Sequence, residues 1–239
     1  MKTKVTQIQR DLVEACHAMA AAGCGGVIGG HVSIRVPGEN TYWVNVIDRC
    51  FEEMTVEDMV HVDFDGNVLQ SSRPVSIGIA FHHGIYGLRP DVGAIVHTHG
   101  RWMTAQSAFA RPPKMWENLC TLFYNKVAIS PDDTFEKIGP AIGKDNIAVI
   151  IPWHGAINVG KTVGEAAALH TTFDYACWLD MQLANSGAQT IPDEYCERIV
   201  DTLTRQGYLG LTWDLLRRKV KSGMGVGFGG LGSRPILAA

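Results

Sequence analysis

Three histidines in this chain follow apolar segments in a way that favours a metal site. His97 and His99 are one residue apart and end the apolar run 92–96, and His154 follows a second apolar run at 147–151. Both runs are rich in β-branched residues, which predicts buried strands. Alternate residues of a strand point to the same face, so His97 and His99 can reach one point together. Three neutral imidazoles with open coordination positions are typical of a catalytic metal site; the alternative is unrelated histidines at strand ends.

A metal ion held by these side chains would restrict the substrate. Imidazole is a ligand for zinc, manganese, iron and cobalt alike, so the sequence predicts one divalent ion per subunit without selecting among these metals. Neutral ligands leave the double positive charge of the ion uncompensated by protein. We therefore expect a small anionic substrate that chelates the metal.

The composition predicts one large globular domain. The 239 residues are 46% hydrophobic and carry a formal net charge of −3, too close to zero to indicate binding to nucleic acid or to a membrane surface. No apolar run reaches the roughly 18 residues that a membrane-spanning helix needs. The six cysteines form no CxxC pair and the first residues are unlike a signal peptide, so we expect reduced thiols in a cytoplasmic protein.

Apolar periodicity and turn residues predict helices and strands in an alternating order. The predicted helices cover 7–22, 77–87, 102–110, 134–142, 163–183, 193–206 and 213–221. The predicted strands cover 31–36, 41–47, 58–64, 68–70, 92–96 and 147–151. We expect a single domain over 1–222 and a separate glycine-rich tail over 223–239.

Four motifs, in this order along the chain, resemble those of the class II aldolase/adducin family. They are Gly29-Gly30-His31-Val32-Ser33-Ile34-Arg35, Pro74-Val75-Ser76-Ile77 followed by Phe81-His82-His83-Gly84-Ile85-Tyr86, Val96-His97-Thr98-His99, and Trp153-His154-Gly155. The resemblance covers roughly residues 7–205. It implies an α/β fold, a three-layer α/β/α sandwich around a mostly antiparallel central sheet. It also implies a homo-oligomer, usually a tetramer, with active sites at the subunit interfaces.

The glycine-rich loop departs from the phosphate-binding pattern of the family's sugar-phosphate aldolases. Where those enzymes place hydroxyl and amide side chains, this chain has Ile28, Gly29, His31 and Val75, and only Ser76 remains. A phosphate needs several hydrogen-bond donors, which aliphatic side chains lack. Backbone amides of the two loop glycines, Gly29 and Gly30, can still form an anion nest. We therefore expect a substrate without a phosphate group.

A second departure concerns the catalytic base. The resemblance aligns the glutamate of the aldolases with Ile77, which cannot transfer a proton. Decarboxylation needs no such base, because expulsion of carbon dioxide itself generates the carbanion that a metal stabilises. Members of the family decarboxylate hydroxylated aromatic or pyridine carboxylic acids, and flat apolar walls suit such rings. The side chains expected to form these walls are Ile28, Val75, Ile77, Trp102 and Trp153.

Three further side chains are candidates for proton transfer. His31 can hold a substrate carboxylate or donate a proton, or else brace the loop. Of His82 and His83, only one should face inward, because adjacent helical residues point about 100° apart; either can instead satisfy a backbone carbonyl. Tyr124 lies in a segment that in this family reaches a neighbouring subunit's site, and the alternative is a core or interface tyrosine.

Two arginines and one more histidine have both functional and structural interpretations. Arg35 and Arg73 can attract a substrate carboxylate, or form surface ion pairs instead. His170 can support a metal ligand from behind, but we favour a surface histidine.

The sequence thus predicts a metal-dependent decarboxylase of a hydroxylated aromatic or heteroaromatic acid. The first alternative is a metal-dependent aldolase that acts on a non-phosphorylated substrate. Two more are a metal-dependent oxygenase, since iron accepts histidine-rich sites, and a non-catalytic adducin-like scaffold.

Overall fold

The computed structural model describes residues 6–25, 28–71 and 73–223, and these form one eight-stranded sheet covered by helices on both faces. The strands are β1 His31–Arg35, β2 Thr41–Asn45, β3 Met59–Asp63, β4 Val68–Gln70, β5 Ala94–Thr98, β6 Val127–Ile129, β7 Ala148–Ile151 and β8 Gly155–Gly160. Their order in the sheet is β4-β3-β2-β1-β5-β8-β7-β6. Every pair is antiparallel except β6 with β7.

Helices form the two outer layers. They are α1 Gln7–Ala21, α2 Ala80–Leu88, α3 Arg101–Ser107, α4 Phe135–Ala141, α5 Val163–Leu183, α6 Asp193–Arg205 and α7 Tyr208–Lys221. Short 3-10 helices cover Phe51–Glu53, Val56–Asp58, Ile77–Ile79 and Asn118–Phe123. The α5 helix packs on β5 and β8 and is itself covered by α1, α3 and α7, whereas α2 and α4 pack together on the other face.

The alternation of side chains along the strands assigns neighbouring residues to different layers. Ser33 of β1 contacts His82 of α2, and Thr98 of β5 contacts His170 of α5. His31 and Ser33 therefore belong to the α2 face, and so does His97, which pairs directly with His31 across β1 and β5. One strand thus presents His97 to one layer and Thr98 to the other.

The sequence pattern of α5 explains its central position. Thr162 caps the helix by accepting a hydrogen bond from the Glu165 backbone, and small buried alanines at 166–168 allow close approach to the sheet. The helix is apolar on most sides, as expected for an element enclosed by other helices and the sheet.

The predicted α/β sandwich around a mostly antiparallel sheet is confirmed. The sequence prediction omitted β6 and β8, and it began the last helix at 213 rather than at Tyr208. All six cysteines are free thiols, and five of them are buried. Of the helices in the described ranges, none is long and apolar enough to cross a membrane. Residues 224–239, nearly all of the predicted tail, lie outside the described residues.

Candidate metal centre

The hairpin of β7 and β8 brings the three predicted ligands together. His97 lies in β5, His99 just after it, and His154 in the turn between β7 and β8 rather than at a strand end. Ring centroids are 4.7 Å apart for His99 and His154, and 5.2 Å apart for His97 and His154. One ring nitrogen from each of the three lies within 4.8 Å of the others. This spacing suits three ligands of one ion.

A close backbone approach fixes this arrangement. Thr98 pairs with Ala156, so the start of β8 lies beside the end of β5. A Cβ atom on Gly155 would lie 2.5 Å from the carbonyl oxygen of Thr98, a distance that real side chains do not adopt. The glycine after His154 is therefore needed for the turn to approach the histidine strand.

The donor set fits a divalent cation. His97 Nδ1 lies 3.0 Å from the Ala156 carbonyl oxygen, and such a contact requires an N–H there, which leaves Nε2 as the ligand atom. Burial lowers the pKa of His97, His99 and His154, and the exposed Asp133 partly offsets this for His154. His99 Nε2 is buried without a hydrogen-bond partner among the described residues. The three imidazoles are therefore neutral and available as ligands.

A buried hydrogen-bond network supports the histidine strand from the opposite face. The Thr98 hydroxyl lies 2.7 Å from His170 Nε2, and His170 Nδ1 lies 2.9 Å from the Asn158 side-chain oxygen. His170 is fully buried, and burial lowers its pKa to about 3. The expectation of a surface histidine was wrong, because the helix that carries it is enclosed on most sides.

His31 forms a fourth member of the cluster. Its ring centroid lies 5.4 Å from that of His97, and the side chain is only 3% exposed. Burial, then the nearby His99 and His154, lower its pKa to about 3. Neither ring nitrogen has a hydrogen-bond partner within the described part of the chain.

Of the two adjacent histidines on α2, His82 faces the cluster. It is fully buried, with its ring centroid 5.5 Å from that of His31. His83 is half-buried and contacts the Tyr42 hydroxyl at 3.3 Å. Burial lowers the pKa of both.

The loop before α2 approaches His31 through a glycine. A Cβ atom on Gly78 would lie 2.9 Å from His31 Cε1, and the Ser76 hydroxyl accepts a hydrogen bond from the Gly78 amide. Ile77, by contrast, is 83% exposed. In the single chain Ile77 thus lies on the surface and Gly78 is the position that faces His31, and the role of Ile77 as a pocket wall stays a prediction.

The glycine-rich loop lies against His99 of the candidate metal centre. Gly29 has a φ of +108°, and a Cβ atom there would lie 3.1 Å from His99 Cε1. Gly30 approaches the Phe51 ring in a similar way, since its Cβ would lie 2.7 Å from Phe51 Cζ. The anion nest expected from their amides stays a prediction.

Apolar side chains are exposed beside the cluster. Trp153, next to His154, is 78% exposed and has a φ of +58°, and Ile28 is 59% exposed. The third is Ile77, next to Gly78.

The structure does not bring four predicted residues to the histidine cluster. Arg35 donates to the backbone carbonyls of Tyr86, Arg89 and Val92, at the opposite end of β1 from His31. Arg73 forms ion pairs with Asp48 and Asp58. Burial, then the charge of nearby Asp193 of α6, raise the pKa of Tyr124, and its role in a neighbouring subunit's site stays a prediction. Trp102 packs against the hydrophobic core.

No functional role was predicted from the sequence for Gly78, which lies against His31, or for Ser33 and Tyr86, which form a hydrogen-bonded group with His82 in the structure. The signals were present: His31 and Ser33 share one strand face, and His82 and Tyr86 are four residues apart on one helix.

Comparison with known proteins identifies the family. The sequence profile of the "Class II Aldolase and Adducin N-terminal domain" matches residues 10–181. The chain belongs to this family.

Curated relatives include three proteins with about 30% identity. The chain is 33% identical over 164 residues to "Meiotically up-regulated gene 14 protein" of Schizosaccharomyces pombe, a match that covers 64% of this chain and 63% of that protein. It is 32% identical to "4-hydroxy-3-prenylphenylpyruvate oxygenase/4-hydroxy-3-prenylbenzoate synthase" of Streptomyces roseochromogenus, over 65% of this chain and 60% of that protein. It is 30% identical to "Decarboxylase NovR" of Streptomyces niveus, over 65% of this chain and 61% of that protein. The chain thus spans about three fifths of the length of these relatives.

A solved structure confirms the fold. L-fuculose 1-phosphate aldolase from Glaciozyma antarctica superimposes with a TM-score of 0.83, over 93% of this chain and 94% of that one, at 24% identity.

Proposed function

We propose that this protein is a metal-dependent lyase that decarboxylates a hydroxylated aromatic or heteroaromatic carboxylic acid. The observation that carries the proposal is the placement of His31. Its imidazole lies beside His97 and occupies the space that a side chain at position 78 would need. At the position that the family resemblance aligns with the catalytic glutamate this chain has the apolar Ile77, and the titratable side chain beside His97 is the buried, neutral imidazole of His31. This favours binding of an anionic group over removal of a carbon-bound proton.

The residues of the chain have distinct roles in this proposal. His97, His99 and His154 would hold the divalent ion, which when bound supplies Lewis-acid stabilisation of negative charge on substrate oxygens. His31 donates a hydrogen bond to the substrate carboxylate and orients it. The bond between the ring carbon and the carboxylate breaks, its electron pair stays on the ring carbon, carbon dioxide leaves, and one proton is added at that carbon. His31 is our candidate for relaying this proton: the neutral ring gives its N–H proton to the carbon and takes up another proton at its second nitrogen, so that it stays neutral.

The names of two relatives support this substrate class. One is called a decarboxylase, and the other a synthase of a hydroxylated benzoate. The exposed Trp153 and Ile28 beside the ligands suit a flat aromatic ring. The remaining roles predicted for Gly29, Gly30 and Ser76 are contacts with the substrate anion. We place the protein in the cytoplasm, as a homotetramer with its sites at subunit interfaces.

A decisive experiment is an anaerobic assay of metal-loaded protein against ortho-hydroxylated aromatic carboxylic acids. We expect carbon dioxide release that requires the metal and proceeds without oxygen. His31→Ala should abolish it, and His83→Ala, a neighbouring histidine outside the cluster, should not. An aldehyde product would indicate the aldolase alternative instead. No turnover across a broad panel would contradict the proposal.

The second candidate is a metal-dependent oxygenase. It is favoured by the name of the Streptomyces roseochromogenus relative, which includes an oxygenase activity. Histidine-rich sites bind ferrous iron, which activates oxygen. Oxygen consumption by the iron-loaded protein, coupled to product formation, would select this candidate. The scaffold alternative is weakened because all three ligand histidines are present and clustered.

A further inference from the structure

A buried hydrogen-bond chain joins β1 to α2 next to His31. The Ser33 hydroxyl lies 2.7 Å from the Tyr86 hydroxyl and 2.8 Å from His82 Nδ1. Ser33 and His82 are fully buried, and Tyr86 is 1% exposed. These groups cannot exchange partners with bulk water, so each of their hydrogens must be accounted for within the protein.

The direction of the chain follows from the number of hydrogens. Ser33 has one hydroxyl hydrogen and can donate it either to Tyr86 or to His82. Within the described residues, Tyr86 has no other partner for its hydroxyl. If Ser33 donated to Tyr86, the Tyr86 hydrogen would be buried without an acceptor, which is unfavourable. The favoured arrangement is therefore Tyr86 to Ser33 to His82.

This direction sets the tautomer of His82. A His82 Nδ1 that accepts from Ser33 leaves the proton of the neutral ring on Nε2. His82 Nε2 is buried and has no partner among residues 6–25, 28–71 and 73–223. The side chain thus presents an N–H that lacks an acceptor.

A candidate acceptor is His31, whose two ring nitrogens are also buried without a partner in the described part of the chain. The two ring centroids are 5.5 Å apart, close enough for rotation of the His31 ring or one bridging water to complete a hydrogen bond while His82 keeps its contact with Ser33. A neutral imidazole has one acceptor and one donor nitrogen. If one nitrogen accepts from His82, the other must carry the proton.

We propose that Tyr86, Ser33 and His82 are positioning residues that form a one-directional hydrogen-bond chain ending on His31. The chain fixes His31 in a single tautomer whose remaining N–H is directed to the substrate at the metal centre. The inference rests on the proposed function only in that last step, the direction of the N–H toward a substrate. Without the chain, both tautomers of His31 coexist, and only a fraction of molecules presents the donor.

The test is nitrogen-15 NMR of the full chain labelled at its histidines, with and without Zn²⁺. Chemical shifts of the two ring nitrogens identify which one is protonated, and His82→Gln and His31→Gln variants assign the signals. In the wild type we expect His82 protonated at Nε2 and His31 in one tautomer. Ser33→Ala should leave zinc content unchanged and convert both histidines to tautomer mixtures.

Two matched variants control the experiment. Ser107→Ala removes another fully buried hydroxyl, which donates to the Thr104 carbonyl, and should leave both tautomers unchanged. His83→Gln removes the adjacent histidine of α2, which lies outside the chain of hydrogen bonds, and should also leave them unchanged.

Three outcomes would overturn the inference. They are a His82 protonated at Nδ1, a wild-type His31 that populates both tautomers, and a Ser33→Ala variant that retains the wild-type tautomers. If Ser33→Ala does not fold, the wild-type spectrum alone decides. The measurement involves no turnover, so a failure of the decarboxylase proposal, seen as absence of carbon dioxide release, is distinguishable from a failure of this one.

Discussion

Burial keeps the histidines of this site neutral, and neutrality makes them useful as ligands. His97 and His31 are nearly inaccessible, and desolvation is the main cause of their lowered pKa values. A metal ion then need not displace a proton from these rings near pH 7. At the scale of single residues, the site is therefore prepared for a cation by packing rather than by acidic side chains.

The first prediction concerns the ligands themselves. His154→Ala removes a half-exposed ligand from a turn, so the fold should be retained while bound zinc, measured by elemental analysis after dialysis, falls at least tenfold. His61→Ala, a half-buried histidine stacked on Trp43, serves as the control and should retain the metal. Equal zinc content in both variants would contradict the assignment.

The second prediction compares two glycines. Gly78→Ala would place a Cβ atom 2.9 Å from His31 Cε1 and should displace the imidazole, which lowers activity at least tenfold.

Gly84 lies within α2, and a Cβ atom there would meet no other atom within 4 Å, so Gly84→Ala should raise the free energy of unfolding by about 0.5–1 kcal/mol. The carbon dioxide assay measures the activity of Gly78→Ala, and urea denaturation measures the free energy of unfolding of Gly84→Ala. Unchanged activity in Gly78→Ala would show that His31 does not need this space.

The sequence predicted some of these residues because their signal is local. His97 lies in β5 and His99 just after it, with one residue between them, and their shared direction was expected from strand geometry alone. The environment of Arg35 was not predictable in this way, because its acceptors are carbonyl groups at residues 86, 89 and 92. Arg73 likewise pairs with aspartates 25 and 15 residues away in the sequence. Such contacts depend on the tertiary fold.

At the scale of elements, the hairpin of β7 and β8 is what brings His154 next to His97 and His99. The β8 strand pairs with β5 along its whole length and places the turn with His154 beside His99. Its sequence, Gly155–Gly160, contains two glycines, an alanine and an asparagine, which are weak strand formers. The strand forms because it pairs with both β5 and β7, and its small residues let α5 pack closely, since a Cβ atom on Gly160 would lie 2.6 Å from the Ala166 nitrogen. Local propensity therefore failed to predict it, whereas the β-branched runs of β5 and β7 were predicted.

The third prediction tests how α5 supports the histidine strand. Thr98→Val keeps the shape of the side chain but leaves His170 Nε2 buried without its partner. We expect a loss of about 1–3 kcal/mol in the free energy of unfolding and roughly tenfold weaker zinc binding. Thr172→Val is the control, because within the described residues that hydroxyl donates only to a carbonyl of its own helix. Equal losses in the two variants would show that the contact with His170 has no special role.

At the scale of the whole molecule, the exposed apolar residues around the site require an explanation. Ile28, Ile77 and Trp153 are 59%, 83% and 78% exposed in the single chain. Trp153 also has a left-handed backbone conformation, which costs a residue with a side chain roughly 1 kcal/mol relative to glycine. Exposed apolar clusters rimmed by polar groups mark contact surfaces. We expect a partner subunit at the mouth of the site, together with a bound aromatic ring, to cover these three side chains.

The last prediction tests that assembly. In sedimentation equilibrium the wild type should behave as four chains of 26.1 kDa each. Trp153→Gly relaxes the left-handed backbone but removes the apolar contact, so it should dissociate the tetramer while the separated chain keeps its fold. Leu211→Ser, which removes a 62% exposed leucine from α7, should leave the mass unchanged. A monomeric wild type would contradict the assembly. A Trp153→Gly protein that stays tetrameric and binds aromatic acids poorly would limit the indole to its proposed contact with the substrate, because the exposed ring would then be covered by the ligand and not by a neighbouring chain.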